Sequence, residues 1–268
     1  MHKRNNPIGV FDSGVGGLTV VRALMERLPH ENIIYFGDTA RVPYGVKSVE
    51  TIRQFTGEIV DFLLAQNVKM LNIACKTMAA VASDVVKERA GHLPVLDVIE
   101  AGAKAAVDAS VSKTIGVIAT PTTINSNAYA RRIASLDASI RVFSQPCPLF
   151  VPLVEEGWLD HPVTRLTTQE YLKPVLAEQV DTLVLGCTHY PLLKPLLQEV
   201  AGDKVTLVDS AVTTASQTAH LLRELALANP GDHPTPPVYR YVVTDVPLRF
   251  TTIGERFLGR SLGRVEVV

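Results

Sequence analysis

At 268 residues, 47% hydrophobic and 20% charged, the chain has the length of one large or two ordinary domains and a globular composition, which excludes disordered and fibrous classes. Twenty-six basic and 27 acidic residues leave a net charge of -1 with no Lys/Arg block, so no nucleic-acid partner is expected. No apolar run reaches the roughly 18 residues of a membrane helix, the start MHKRNNPIGVFDSG does not read as a signal peptide, and three cysteines without CxxC spacing fit neither a disulfide framework nor a zinc ribbon. A cytoplasmic protein, without membrane or metal, is the expectation.

In chain order, IGVFDS reads as a buried strand that passes through GVGG into the helical pattern LTVVRALMERLP. Asp12 and Ser13 follow the strand, and Gly14, Gly16 and Gly17 open the helix, where free N–H groups suit a carboxylate or phosphate. The Walker ending and the G-x-G-x-x-G spacing are both missing, and a tight turn needs only the glycines. NIIYFGDT reads as the next strand, and GDTARVPYG, with Tyr44 and Gly45, reads from composition as a structural turn. The helical VETIRQFTGEIVDFLLAQN leads to the strand MLNIAC, which ends on Cys75; Lys76 and Thr77 lead into the helical MAAVASDVVKERA, and LPVLDVI is the following strand. Short buried runs between amphipathic segments predict an α/β fold with mainly parallel sheets and helices on both faces.

The second half resembles the first at a nearly fixed offset. IGV at 8 recurs at 115 (115 - 8 = 107), and Tyr35-Phe36 aligns with Val142-Phe143 at the same 107. LAQNVKMLNIAC aligns with LAEQVDTLVLGC at 187 - 75 = 112, and VLDVIEA at 95 faces VTLVDSA at 205, an offset of 110. Four matches in order predict two similar α/β domains related by a pseudo-twofold axis, the second near 99–208, with a segment from about 209 that can complete either.

Equivalent strand ends then carry one thiol each, Cys75 and Cys187, and open α/β sheets bind ligands beyond the carboxyl ends of their strands. A lone cysteine after a strand is more often a small buried hydrophobe; the repeat turns the reading toward a thiol pair flanking a common cleft. Cys147 has no such partner and reads as buried. A helix N-terminus or a nearby cation lowers a thiol pKa toward the working range. One thiolate can remove a proton from a carbon while the opposite thiol returns one, inverting a stereocentre without a cofactor.

TPTTINS supplies Thr120 and Thr123, for which helix capping is the simpler reading. In GCTHYPLL, Thr188 and His189 follow Cys187; His189 suits a polariser or proton partner better than a zinc ligand, since no second ligand pair is present. In CPLFVPLVEEGW, Glu155 and Glu156 read from sequence alone as a solvated helix turn.

Taken together, FDSGVGGLTV, GDTARVPYG, IACKT, IATPTTINS, CPLFVPLVEEG and LGCTHYPLL resemble the glutamate racemases of the aspartate/glutamate racemase superfamily. The resemblance implies a cofactor-independent isomerase that interconverts L- and D-glutamate for peptidoglycan synthesis. It implies that Cys75 takes the α-proton of D-glutamate and Cys187 that of L-glutamate, supported by Asp12, Glu155 and His189. Substrate contacts would fall on Asp12, Ser13, Tyr44, Gly45, Lys76, Thr77, Thr120, Thr123, Thr188 and His189. The first domain would comprise 1–98 plus 209–268 and the second 99–208, with a homodimer as the candidate assembly.

At one residue the chain departs from that family, which usually has Asn where this chain has Lys76. A cation in the first turn of a helix opposes the macrodipole, at roughly 0.3–1 kcal/mol. Lys76 can pair with a substrate carboxylate, depress the Cys75 pKa, or swing to solvent while Thr77 binds. Three alternatives stay open: a racemase of another acidic amino acid such as aspartate, a pyridoxal-phosphate enzyme with Lys76 as its Schiff-base lysine, and a non-catalytic amino-acid-binding protein.

Overall fold

The computed structural model describes residues 2–231 and 236–268; Met1 at the start and 232–235 in the C-terminal segment lie outside the described residues. Among the described residues ten strands form two parallel sheets: β1 (Ile8–Asp12), β2 (Ile33–Gly37), β3 (Met70–Ile73), β4 (Val95–Asp97), β5 (Thr114–Ala119), β6 (Arg141–Pro146), β7 (Thr182–Gly186), β8 (Thr206–Val208), β9 (Tyr239–Val243) and β10 (Val265–Val267). The first sheet runs β10-β9-β2-β1-β3-β4 and the second β6-β5-β7-β8. Every residue of β1, β2, β3, β5 and β7 is buried, as expected of parallel strands covered on both faces. Full burial of a side chain such as Ile8, Phe11 or Leu183 contributes about 2 kcal/mol through apolar surface removed from water.

The fold is therefore two similar α/β units, with β2-β1-β3-β4 repeated as β6-β5-β7-β8. The register corrects two of the sequence offsets. Ile8 pairs Ile33 while Ile115 pairs Val142, so β2 corresponds to β6 at 142 - 33 = 109 rather than 107. Leu71 pairs Val95 while Leu183 pairs Leu207, so β4 corresponds to β8 at 207 - 95 = 112 rather than 110. Both errors are two residues, and a two-residue slip leaves every strand side chain on the same face, so apolar patterning cannot detect it. The corrected offset matches Asp97 with Asp209, and each caps the helix that follows. Asp97 Oδ1 accepts from the Ile99 and Glu100 N–H groups at 3.0 and 2.9 Å, and Asp209 Oδ1 from Ala211 N–H at 2.9 Å. The cap at Asp97 also ends the strand expected over LPVLDVI, since Val98 already opens the helix Val98–Ala109.

Strands β9 and β10 extend the first sheet beyond β2. Helix Ser210–Glu224 packs on both helix Leu18–Arg27 and helix Val98–Ala109. It is tied to the first sheet where Asn72 on β3 donates to Thr218 Oγ1 at 3.2 Å. No helix among the described residues is long and apolar enough to cross a membrane.

Candidate active site

The carboxyl ends of β1 and β3 place Asp12, Ser13 and Cys75 together. The Asp12 side chain is buried beneath the turn; its Oδ2 accepts the Gly17 N–H at 2.5 Å and its Oδ1 has no partner. Cys75 is the N-cap of helix Lys76–Ala90, and its thiol donates to Ser13 Oγ at 3.6 Å. Burial, then the charge of Asp12, pushes this thiol up to about 12, overriding the helix N-terminus that the sequence suggested would lower it. Cys75 is accordingly held protonated at neutral pH.

The end of β7 presents Cys187 in different company. His189 Nδ1 lies 3.9 Å from Cys187 Sγ, and its Nε2 lies 3.0 Å from Glu155 Oε1. Burial opposes the imidazolium, but Cys187 and Glu155 outweigh it and raise His189 to about 10. Glu155, at the end of helix Phe150–Glu155, is thus no solvated turn residue: burial works against its charge, yet bonding to His189 holds its carboxyl below the usual range. The Phe257 ring meets His189 edge-on at 5.1 Å. Cys147 is fully buried, as expected, with its thiol toward Gln145 O at 3.6 Å.

Three hydroxyls join the two halves. Thr77 Oγ1 lies 3.1 Å from Thr120 Oγ1 and 3.4 Å from Thr123 Oγ1, and Thr120 and Thr123 are 3.0 Å apart. Either atom of each pair can be the donor. Thr120 does occupy the N-cap position of helix Pro121–Asn125, but its side chain makes no capping bond, so the capping reading is overturned. Glycines permit the close approach around the cleft. A Cβ on Gly16 would fall 2.2 Å from Thr188 Oγ1 and 2.6 Å from His189 Nδ1, and one on Gly45 would fall 2.9 Å from Thr120 Cβ.

All of the sequence-predicted site residues except Asp12 and Thr123 line one cavity of about 370 Å³. Asp12 is buried and bonded to Gly17, and Thr123 meets the cavity wall through Thr77 and Thr120. Lys76 lines the cavity as a buried side chain, which excludes the expectation that it swings to solvent. Sequence reasoning missed Asp38, whose carboxylate accepts bonds from the Tyr44 hydroxyl, Arg41 and Thr244 and so fixes the Tyr44 wall. It also missed the apolar rim of Val42, Pro148, Val151 and Pro152. Asp38 stands inside GDTARVPYG, but only the fold shows that Tyr44 turns back onto it. Among the described residues no group of three His, Cys, Asp or Glu side chains could hold a metal ion.

Known proteins resemble the chain over nearly its whole length. The sequence model of the Asp/Glu/hydantoin racemases matches residues 16–218. The chain belongs to that family. The family member from Syntrophus aciditrophicus, a glutamate racemase, is 69% identical over 98% of this chain and 96% of its own length. A glutamate racemase of Neisseria meningitidis is 61% identical over 99% of this chain and 97% of its own. Among solved structures of the family, the glutamate racemase of Francisella tularensis in complex with D-glutamate superposes with a TM-score of 0.93, at 45% identity and covering 99% of this chain and 98% of that one.

Proposed function

We propose that the chain is a glutamate racemase that works with two thiols and no cofactor. The observation that supports this best is the cavity with Cys75 and Cys187 at equivalent strand ends, in a chain up to 69% identical to glutamate racemases. Those relatives do not favour the aspartate alternative. In the L-to-D direction, Cys187 takes the α-proton: the C–H bond breaks, an S–H bond forms, and the electron pair stays on Cα and its carboxylate. Cys75, already protonated, then gives its proton to the opposite face, and the electron pair becomes the new C–H bond. The reverse reaction exchanges the roles. His189 and Glu155 support the thiol on the second side, and Asp12 and Ser13 the one on the first. The substrate is held by Asp12, Ser13, Tyr44, Gly45, Lys76, Thr77, Thr120, Thr123, Thr188 and His189.

The same reading makes the enzyme cytoplasmic, a supplier of D-glutamate for peptidoglycan and hence for cell shape. It divides the chain into domains of 1–98 plus 209–268 and of 99–208, assembled as a homodimer whose test is the mass in solution. The decisive experiment incubates L-glutamate with the protein in D2O without added cofactor and follows optical rotation and the α-proton signal. Both are expected to decay together. Binding of glutamate without exchange of its α-hydrogen would make the protein a binding module and refute the reaction.

A further inference from the structure

Helix Pro247–Leu258 joins β9 to β10 of the first sheet, yet three of its side chains reach residues that follow strands of the second. Arg249, Arg256 and Phe257 are spaced i, i+7 and i+8, which puts them on one face of the helix. The neighbouring face packs on the helix's own side: Phe250 stacks on Tyr35 of β2 at 6.1 Å, and a Cβ on Gly254 would meet Leu18 at 2.8 Å. The start of the helix is tied to the Tyr44 wall. Thr244 Oγ1 donates to Asp38 Oδ1 at 2.9 Å and accepts the Ala40 N–H at 2.9 Å, and Asp245 N–H donates to Thr39 Oγ1 at 2.9 Å. One helix thus starts beside the Tyr44 wall and ends against His189.

Two of these side chains converge on Glu155. Its Oε1 faces His189 Nε2 at 3.0 Å, while its Oε2 lies 3.9 Å from Arg249 Nη2, which is also 3.7 Å from Glu156 Oε1. Arg256 Nη1 donates to the Glu155 carbonyl at 3.4 Å and lies over Gly157, where a Cβ would fall 2.7 Å from it. The third, Phe257, meets the His189 ring edge-on at 5.1 Å. With its side chain 62% exposed, Arg249 forms a surface ion pair that contributes little to stability. Its effect is on direction: the Glu155 side chain is 26% exposed, and without a cation at Oε2 its carboxylate can turn toward water and away from His189. Cys187 and Glu155 act on the charge of His189, and Arg249 acts on that of Glu155. Arg22, Glu26, Asp209 and Arg256 line a separate cavity together with Phe257.

We propose that Arg249 and Phe257 are positioning residues for the Glu155–His189 pair: Arg249 aims the carboxylate at the imidazole, and Phe257 holds the ring so that Nδ1 stays toward Cys187. Neither lines the cavity that holds the two thiols, so both act through His189, whose Nδ1 is 3.9 Å from Cys187 Sγ. The assignment rests on the racemase reading for its consequence in catalysis but not for its titration. Two accounts of Arg249 predict opposite signs. As a bare positive charge it opposes the imidazolium, and its removal raises the His189 midpoint. As the group that aims Glu155, its removal takes the carboxylate away and lowers that midpoint.

The test titrates the full chain across about pH 6 to 11 and follows the imidazole signals by nuclear magnetic resonance, with that of His189 assigned by its loss in His189→Asn. Racemisation of glutamate is measured alongside. Wild type is expected to titrate at about 10. Arg249→Met is expected to titrate lower by about one unit or more and to lose about tenfold in kcat. Arg249→Lys, which keeps a cation within reach of Glu155, is expected to hold the midpoint near that of wild type. Phe257→Leu, apolar but without the ring, is expected to lower both midpoint and kcat. An unchanged or higher midpoint in Arg249→Met overturns the proposal, and this exposed substitution decides it even if Phe257→Leu fails to fold. A lowered midpoint in a protein that does not racemise glutamate would sink the reaction and keep the positioning role; racemisation with an unmoved midpoint would do the reverse.

Discussion

Cys75 and Cys187 end matching strands of matching sheets, but their neighbours have opposite electrical character. Cys75 sits over a carboxylate and beside a hydroxyl, and its thiol is driven toward the protonated form. Cys187 faces an imidazole that Cys187 itself and Glu155 raise, against burial, to about 10. Topology thus duplicates the position of a reactive group while the flanking residues differentiate its chemistry. In the proposed reaction one thiol must give a proton while the other takes one, and different neighbours around two copies of the same side chain suit that division.

Replacing the thiols is the strongest way to break the comparison. Cys75→Ser and Cys187→Ser are each expected to lower kcat by about 10³-fold, because a serine hydroxyl neither gives nor takes the α-proton at neutral pH. Full activity in either variant, measured by polarimetry, would mean that only one half of the site reacts. Next in size is His189→Asn, with an expected loss of about 10²-fold. The enantiomers have equal energy, so kcat/KM must fall equally in both directions; the side-specific effect is read instead as loss of the limb near pH 10 in the kcat/KM profile. Gly16→Ala tests the seam between the halves. Its new methyl group meets Thr188 and His189, and about 1–3 kcal/mol of overpacking should reduce activity about tenfold while leaving a folded protein by circular dichroism.

The smallest effect concerns stability at high pH and separates the two sides by window. His189 is raised from 6.5 to about 10, so its contribution is complete below pH 6.5 and lost as pH rises through about 10. Cys75 is raised from 9.0 to about 12; the unfolded chain ionises first, so its contribution is intact below pH 9 and lost between there and about 12. Thermal midpoints should therefore decline by a few °C in two overlapping stages. Cys75→Ala is expected to remove the later stage and His189→Asn the earlier one. A variant that removes the other's stage would show that these groups have been assigned to the wrong partners.

Much of this architecture was legible in the sequence because parallel strands advertise themselves as short apolar runs, and because a repeated strand end repeats its cysteine. The register was less legible. The offsets for β2/β6 and β4/β8 were each two residues off, a shift to which the alternation of strand side chains is blind, and with it the equivalence of Asp97 and Asp209 was hidden. Thr120 and Thr123 read as helix caps because local sequence shows the helix start but not Thr77 arriving from the other half. Glu155 read as solvated for the same reason, since His189 lies 34 residues away. The burial of Lys76 depends on several elements closing over it, and no local pattern records that.

The three threonine hydroxyls that bridge the halves carry a further consequence. A hydroxyl rotates and serves equally as donor or acceptor, so the trio of Thr77, Thr120 and Thr123 can reverse the direction of its hydrogen bonds without moving a heavy atom. A wall built from guanidinium forks or fixed amides would fit one hand of an amino acid and penalise its mirror image. In the proposed reaction, reversible hydroxyls let this part of the wall meet the polar groups of either enantiomer by rotating O–H bonds alone.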